Sequence, residues 1–210
     1  MIALWFRKPL TEKRAITLWI KIPYTLFVCL LVPAYWAKYG PANFLWFSDA
    51  ALLGTLAALW LESRLLVSMM ALAVLLPEVG WNIDFFTRLI AGADAIGVRG
   101  TNYMFDPAIP IFFRALSSFH IFLPLVLLWA VHRLGYDPRA FVFQILLAWI
   151  MLPASYLFTD PVHNVNFVLG VGSVPQSWMP ALLYVAMLMA LVPVCIYLPT
   201  HLVLKKFAGL

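Results

Sequence analysis

Long apolar runs separated by short polar connections dominate the chain. The runs at 15–38, 43–62, 64–86, 109–134, 138–159 and 177–204 are continuous and do not alternate at every second residue. That is the pattern of membrane-crossing helices, not of a transmembrane β-barrel. Each run is close to the ~20 residues a helix needs to cross about 30 Å of hydrocarbon. Trp19, Trp36, Trp46, Trp60, Trp81, Trp129 and Trp178 fall near the ends of these runs, where an indole sits well between headgroups and acyl chains. The pattern therefore predicts an all-α polytopic membrane protein, a bundle of six spans forming one integral-membrane domain over 1–210. No repeat, low-complexity tract or linker divides it, which counts against a transporter built from two similar halves.

The charged positions set an expected orientation. Arg7, Lys8, Lys13 and Arg14 precede the first run, Arg64 lies in the second connection, Arg133 and Arg139 in the fourth, and Lys205 and Lys206 near the C-terminus. Lys38, Arg88 and Arg99 fall on the opposite side, and 160–176 has no Lys or Arg. By the positive-inside rule both termini face the cytoplasm, and the long connections 87–108 and 160–176 face outward. The first run is longer than a signal-peptide core, with no convincing small-x-small cleavage site after it, so it is expected to remain as an anchor. The expected location is the inner (plasma) membrane of a bacterium.

Composition sharpens this reading. Hydrophobic residues make up 64% of the 210 and charged residues 11%, against about 25% charged in a soluble domain. With a mean hydropathy of +0.93, no soluble catalytic domain fits beside the spans. The net charge of +5 is gathered at the chain ends and reads as topological, so a nucleic-acid partner is not expected. Cys29 and Cys195, without a CxxC or Cys/His spacing, argue against a disulfide, a zinc knuckle or a thiol redox centre.

An ionisable side chain within a bilayer costs at least ~2.5 kcal/mol, so each one needs a partner or a task. The candidates are Asp49 on the second span, Glu78, Asn82 and Asp84 on the third, Arg114 and His120 on the fourth, and Tyr156 on the fifth. The predicted topology puts all of them in the outer half of the membrane, Asp49 and Glu78 roughly 10 Å deep and His120 roughly 15 Å. Glu78 and Asn82 share a helix face, as do Arg114, Ser117 and Ser118, and Ser117 stands one turn before His120. His163, Asn164 and Asn166 lie in an outer connection of apolar and glycine character, PVHNVNFVLGVGS at 161–173, either a roof over the pocket or a turn. Structural roles compete throughout. Membrane serines and threonines commonly bond the i−4 carbonyl, Asp49, Glu78 and Arg114 are able to tie helices as ion pairs, and His120 is able to bond the carbonyl that Pro124 frees.

Two stretches, FLWFSDAALL at 44–53 and HIFLP followed by apolar residues and YDPR over 120–139, resemble the androgen-induced-gene family of multi-span membrane hydrolases and related six-span bacterial proteins. That family cleaves fatty-acid esters of hydroxy fatty acids with an intramembrane threonine and histidine. The resemblance covers about a quarter of the chain and implies that His120 corresponds to the family's histidine, with the proline offset by one residue. It also places Trp46 where the family has its threonine, and an indole cannot attack an ester. Ser48, Ser117 or Thr101 would then have to supply the nucleophile.

Four functions follow from these residues. The first is an intramembrane lipid-ester hydrolase or acyltransferase with a pocket open to the outer leaflet. It would use catalytic His120 as base, Ser48 as nucleophile and Asp49 as orienting carboxylate, with Asn82 or Arg114 as oxyanion donor. Glu78, Asn82, Arg114, Ser117, Tyr156, His163, Asn164 and Asn166 would bind a lipid or hydrophobic small-molecule substrate. The second is a transporter or binding protein with a substrate or proton site at Asp49, Glu78, Arg114 and His120, which with so few spans would act as a homodimer. The third, a metal enzyme with His120, Asp49 and Glu78 as ligands, has too few histidines for a usual zinc site, and no metal or other cofactor is expected. The fourth is a scaffold without chemistry.

Overall fold

The computed structural model describes residues 16–92, 100–171 and 174–209. Arg7, Lys8, Lys13, Arg14 and Arg99, used above for orientation, lie outside the described residues. The described elements are helices: α1 (Leu18–Tyr39), α2 (Phe47–Leu61), α3 (Arg64–Ala91), α4 (Ile111–Leu116), α5 (Phe119–Leu134), α6 (Ala140–Phe158), α7 (Ala181–Val192) and α8 (Leu198–Phe207), with short 3-10 turns between some of them. Five stretches are long and apolar enough to cross a membrane: Leu18–Tyr39, Arg64–Ala91, Ile111–Leu134, Ala140–Phe158 and Ala181–Phe207. The protein is thus an all-α integral membrane protein. The remaining apolar helix, α2, has 15 residues and a length of about 22 Å. A 3-10 turn at Pro41–Leu45 continues it toward α1.

The central element is α3. Half of its most apolar stretch is buried within the protein, against 22–28% for the other four, and it packs on α2, α5, α6 and α8. The approach of α2 to α3 depends on Gly54, where a Cβ would collide with the Met70 thioether, the small-residue contact by which helices pack in lipid.

Polar contacts sort the helix ends into two layers. In one, Lys21 Nζ donates to Glu62 Oε1 at 2.7 Å, the Arg64 guanidinium donates to the Tyr136 carbonyl, the Asp137 N–H donates to Ser68 Oγ at 2.9 Å, and Tyr136 Oη meets His201 Nδ1 at 2.6 Å. In the other, Asn166 joins the start of α2 to α6. Alternating helix direction is the arrangement that short connections impose on a bundle.

Three departures from the expected helices have local causes. The run 109–134 breaks at Ser117 and Ser118, where bonds of 3-10 type, Ser118 N to Ala115 O and Ile121 N to Ser118 O, replace the α pattern. Ser117 Oγ returns to the Phe113 carbonyl at 3.2 Å, a side-chain bond that competes with the helix. The last run starts at Ala181 and holds a π-helical turn at Pro193–Tyr197, placed where proline lacks the N–H the ladder needs. The third helix continues five residues beyond 86 to Ala91 and ends at Gly92, whose φ of 68° and N–H bond to the Arg88 carbonyl form a left-handed cap.

Candidate functional site

The break at Ser117–Ser118 delivers His120 at the first turn of α5, facing the middle of α3. Both carboxylate oxygens of Glu78 lie on its Nδ1, at 2.9 and 2.8 Å, with the two side chains only 14% and 3% exposed. Trp81, one turn on from Glu78, stacks on the imidazole with ring centres 4.6 Å apart. A carboxylate at Nδ1 selects the tautomer in which Nδ1–H donates and Nε2 carries the free lone pair. No described residue bonds Nε2.

Asn82 joins the two helices behind this pair. Pro124 inside α5 cannot donate to the carbonyl four residues earlier, which is that of His120. Asn82 Nδ2 fills the gap at 2.8 Å and also donates to the Glu78 carbonyl at 2.8 Å. The backbones of both members of the pair are therefore held by one amide.

Hydroxyl groups gather beside it. Tyr35 Oη and Ser117 Oγ are 2.7 Å apart. Tyr103, from the connection after α3, is half-buried against the same group: desolvation pushes its phenol up, Ser117 hydrogen bonding pulls it partly back, and the charges of Tyr35 and Glu78 add to the rise. That connection is anchored by Thr101 Oγ1, which donates to Asp84 Oδ2 at 2.6 Å, and by Arg114, whose Nη1 donates to the Met104 carbonyl at 3.2 Å.

The other candidates separate into different places. Asp49 is buried, yet the carboxylate on His120 is Glu78. Asp49 Oδ2 accepts from Asn43 Nδ2 at 3.3 Å, and Oδ1 has no partner. Among the described residues, the carboxylate opposite the start of α5 is thus Glu78 of α3 and not Asp49. Ser48 is half-buried in the first turn of α2 and makes no side-chain bond to His120 among the described residues. Ser117 bonds Tyr35 and the Phe113 carbonyl, and Thr101 is committed to Asp84. Arg114 holds a backbone carbonyl, not a carboxylate.

His163 is exposed on the connection after α6. Asn164 clamps its own loop through Gly170 O at 2.8 Å and Leu169 N at 2.9 Å. Asn166 accepts from Phe47 N at 3.0 Å and donates to Leu45 O at 2.7 Å and Ser155 Oγ at 2.9 Å. It supplies from another part of the chain the cap that α2 lacks, since Trp46 offers no oxygen. Both asparagines are loop organisers in place of the substrate ligands expected, their amides being filled by the protein. Trp46 packs edge-on against Phe167 of the same loop, ring centres 5.7 Å apart. Tyr156 lines a separate recess of about 260 Å³ with Ser155, Thr159 and Leu169.

Sequence reasoning missed Tyr35 and Tyr103, which complete the polar cluster, and the Lys21–Glu62 pair. An aromatic residue with a hydroxyl carries no distinctive spacing, so only the fold singles out these tyrosines. Lys21 was the readable one, a cation six residues into an apolar run.

Beside the Glu78–His120 pair, a lipid-facing groove of about 760 Å³ runs between α3 and α5, lined by Val79, Asn82, Phe86, Ile121, Pro124 and Leu125 among others. Among the described residues no group of three or more His, Cys, Asp or Glu side chains is placed to hold a metal ion. Compared with family models, curated proteins and solved structures, the chain finds no match in any of the three.

Proposed function

We propose that the protein is an intramembrane lipid-ester hydrolase or acyltransferase of six spans, both termini cytoplasmic, with Glu78–His120 as its proton-transfer centre in the outer half of the bilayer. One observation carries the reading: a buried carboxylate fixes His120 through Nδ1 while no described residue bonds Nε2, and the adjoining residues Val79, Asn82 and Ile121 line a groove open to lipid. That is the base half of an acyl-transfer site. The resemblance of 120–139 to the hydrolase family supports it.

His120 Nε2 takes the proton of the attacking group, and Glu78 stabilises the imidazolium that forms. Ser117, one turn before His120 and already hydrogen-bonded to Tyr35, is the nucleophile in this reading and attacks the ester carbonyl. The phenols of Tyr35 and Tyr103 then donate to the developing oxyanion. Its collapse breaks the ester C–O bond, the imidazolium protonates the departing alcohol, and water or an acceptor alcohol, deprotonated by His120 in turn, releases the acyl group from Ser117. A positioned base of this kind is worth roughly 10²–10⁴ in rate.

The test is labelling with a fluorophosphonate in lipid nanodiscs. Wild type labels, His120→Ala, Glu78→Gln and Ser117→Ala do not, and Asp49→Asn and Ser48→Ala label within a few-fold of wild type, all at equal folded yield. Labelling that survives in His120→Ala, or fails in wild type, overturns the proposal. The unpartnered Asp49 Oδ1 near Glu78 favours a second reading, proton or cation passage through the pocket. It predicts that proteoliposomes dissipate a pH gradient and that Asp49→Asn stops them.

A further inference from the structure

The groove between α3 and α5 has one feature that its apolar lining hides. Asn82 must turn its Nδ2 toward the carbonyls of Glu78 and His120, because the opposite amide orientation would set oxygen against oxygen at both. Its Oδ1 is left on the other side, where no described residue donates to it, on a residue that lines the groove. The groove therefore presents an acceptor at mid-length, with apolar side chains around it. An acceptor set among apolar side chains favours a ligand that brings both a donor and an apolar body.

Depth narrows the ligand. About 20 helical residues from Arg64 reach the outer boundary near residue 84, so Asn82 stands at the level where a lipid's glycerol joins its chains. Below it, Ile121, Pro124, Leu125 and Leu128 offer an apolar bed for an acyl chain, and above it Thr87 faces the headgroup side. A fully esterified glycerolipid has only acceptors at the linkage level. A partial glyceride has an ester and, next to it, a free hydroxyl.

We infer that the groove binds a partial acyl glyceride, its free hydroxyl donating to Asn82 Oδ1 and one acyl chain lying along α5. This rests on the lipid-ester reading above and names its substrate class. Since Asn82 also holds the His120 carbonyl, the hydroxyl contact keeps the neighbouring ester at the level of the imidazole. The volume, about 760 Å³, is within the usual range of ligand pockets.

The test uses a dioleoylglycerol with a photoactivatable diazirine in its chain, bound to the full-length protein in phosphatidylcholine nanodiscs. Crosslinks should map to α3 and α5 around the groove. Unlabelled dioleoylglycerol should compete about tenfold better than its O-methyl ether or trioleoylglycerol, the ratio expected for one donor to a desolvated acceptor. Leu125→Trp, at a lipid-exposed position that folding does not depend on, should fill the groove and remove the crosslink. Equal competition by the ether, crosslinks elsewhere, or an unchanged crosslink in Leu125→Trp overturns the inference. His120→Ala should retain the crosslink. Loss of fluorophosphonate labelling with the crosslink intact thus separates failure of the catalytic reading from failure of this one.

Discussion

Removing the Asn82 amide should destabilise the protein by an amount that Pro124 determines. In Asn82→Leu the Glu78 carbonyl keeps its own helical donor, but the His120 carbonyl loses its sole side-chain partner and has no N–H from residue 124. One buried acceptor left unmade costs about 1–3 kcal/mol. For a chain of this size that corresponds to a fall in Tm of roughly 2–12 °C. Pro124→Ala returns a backbone N–H to the same carbonyl. In that background Asn82→Leu should cost close to nothing, so that most of the about 1–3 kcal/mol appears as coupling energy across the cycle. Thermal unfolding followed by tryptophan fluorescence in nanodiscs measures all four proteins. Additive effects, with Asn82→Leu equally costly in both backgrounds, would refute the claim that Asn82 substitutes for the missing proline donor.

Two other regions give independent tests. Asn166→Ala removes the bonds to Phe47 N, Leu45 O and Ser155 Oγ and should lower stability by about 1–3 kcal/mol, with faster hydrogen exchange over 41–47 and 160–171. Unchanged exchange at the start of α2 would show that the cap comes from elsewhere. At the other end, hydrogen bonds from the Arg139 side chain hold the Asp137 carboxyl below the usual carboxylate range. A depressed folded pKa contributes stability above the unfolded value of about 3.9 and loses it as pH falls through the folded one. The stability difference between wild type and Asp137→Asn should thus be constant above about pH 5 and shrink below about pH 4. The effect will be small, because Arg139 is largely exposed. A difference that grows in acid would reverse the sign of this argument.

Periodicity located the helices because every crossing must bury its backbone polar groups internally, and an uninterrupted apolar run is the direct trace of that demand. It did not resolve what a side chain does at the end of a run. The second span shortens to Phe47–Leu61 because Pro41–Leu45 winds as a 3-10 turn, and nothing in the hydropathy of PANFL separates the two. The choice between Asp49 and Glu78 was equally invisible. Both are acids within apolar helices, and helix phase decides which meets the histidine. Asn166 read as a pocket ligand because its type suits one. Two of its three partners are 119 and 121 residues away, a separation no local pattern encodes.

The site then depends on a defect in a helix. Across Ser117 and Ser118 the chain turns by about 120° per residue in place of 100°, so over three residues His120 is rotated roughly 60° from its place on an uninterrupted α-helix. That rotation brings Nδ1 onto Glu78. The same region of α5 contains Pro124, whose missing donor exposes the His120 carbonyl to Asn82. The serine pair aims the ring and the proline frees the backbone carbonyl behind it, so α3 holds His120 at its ring Nδ1 and at its carbonyl. The acid and the amide it meets there are one turn apart on a single face of the most buried helix. A membrane helix made only for packing has no need of either irregularity. Their convergence on one histidine is the physical reason to seek chemistry at His120 before any other polar residue in the bundle.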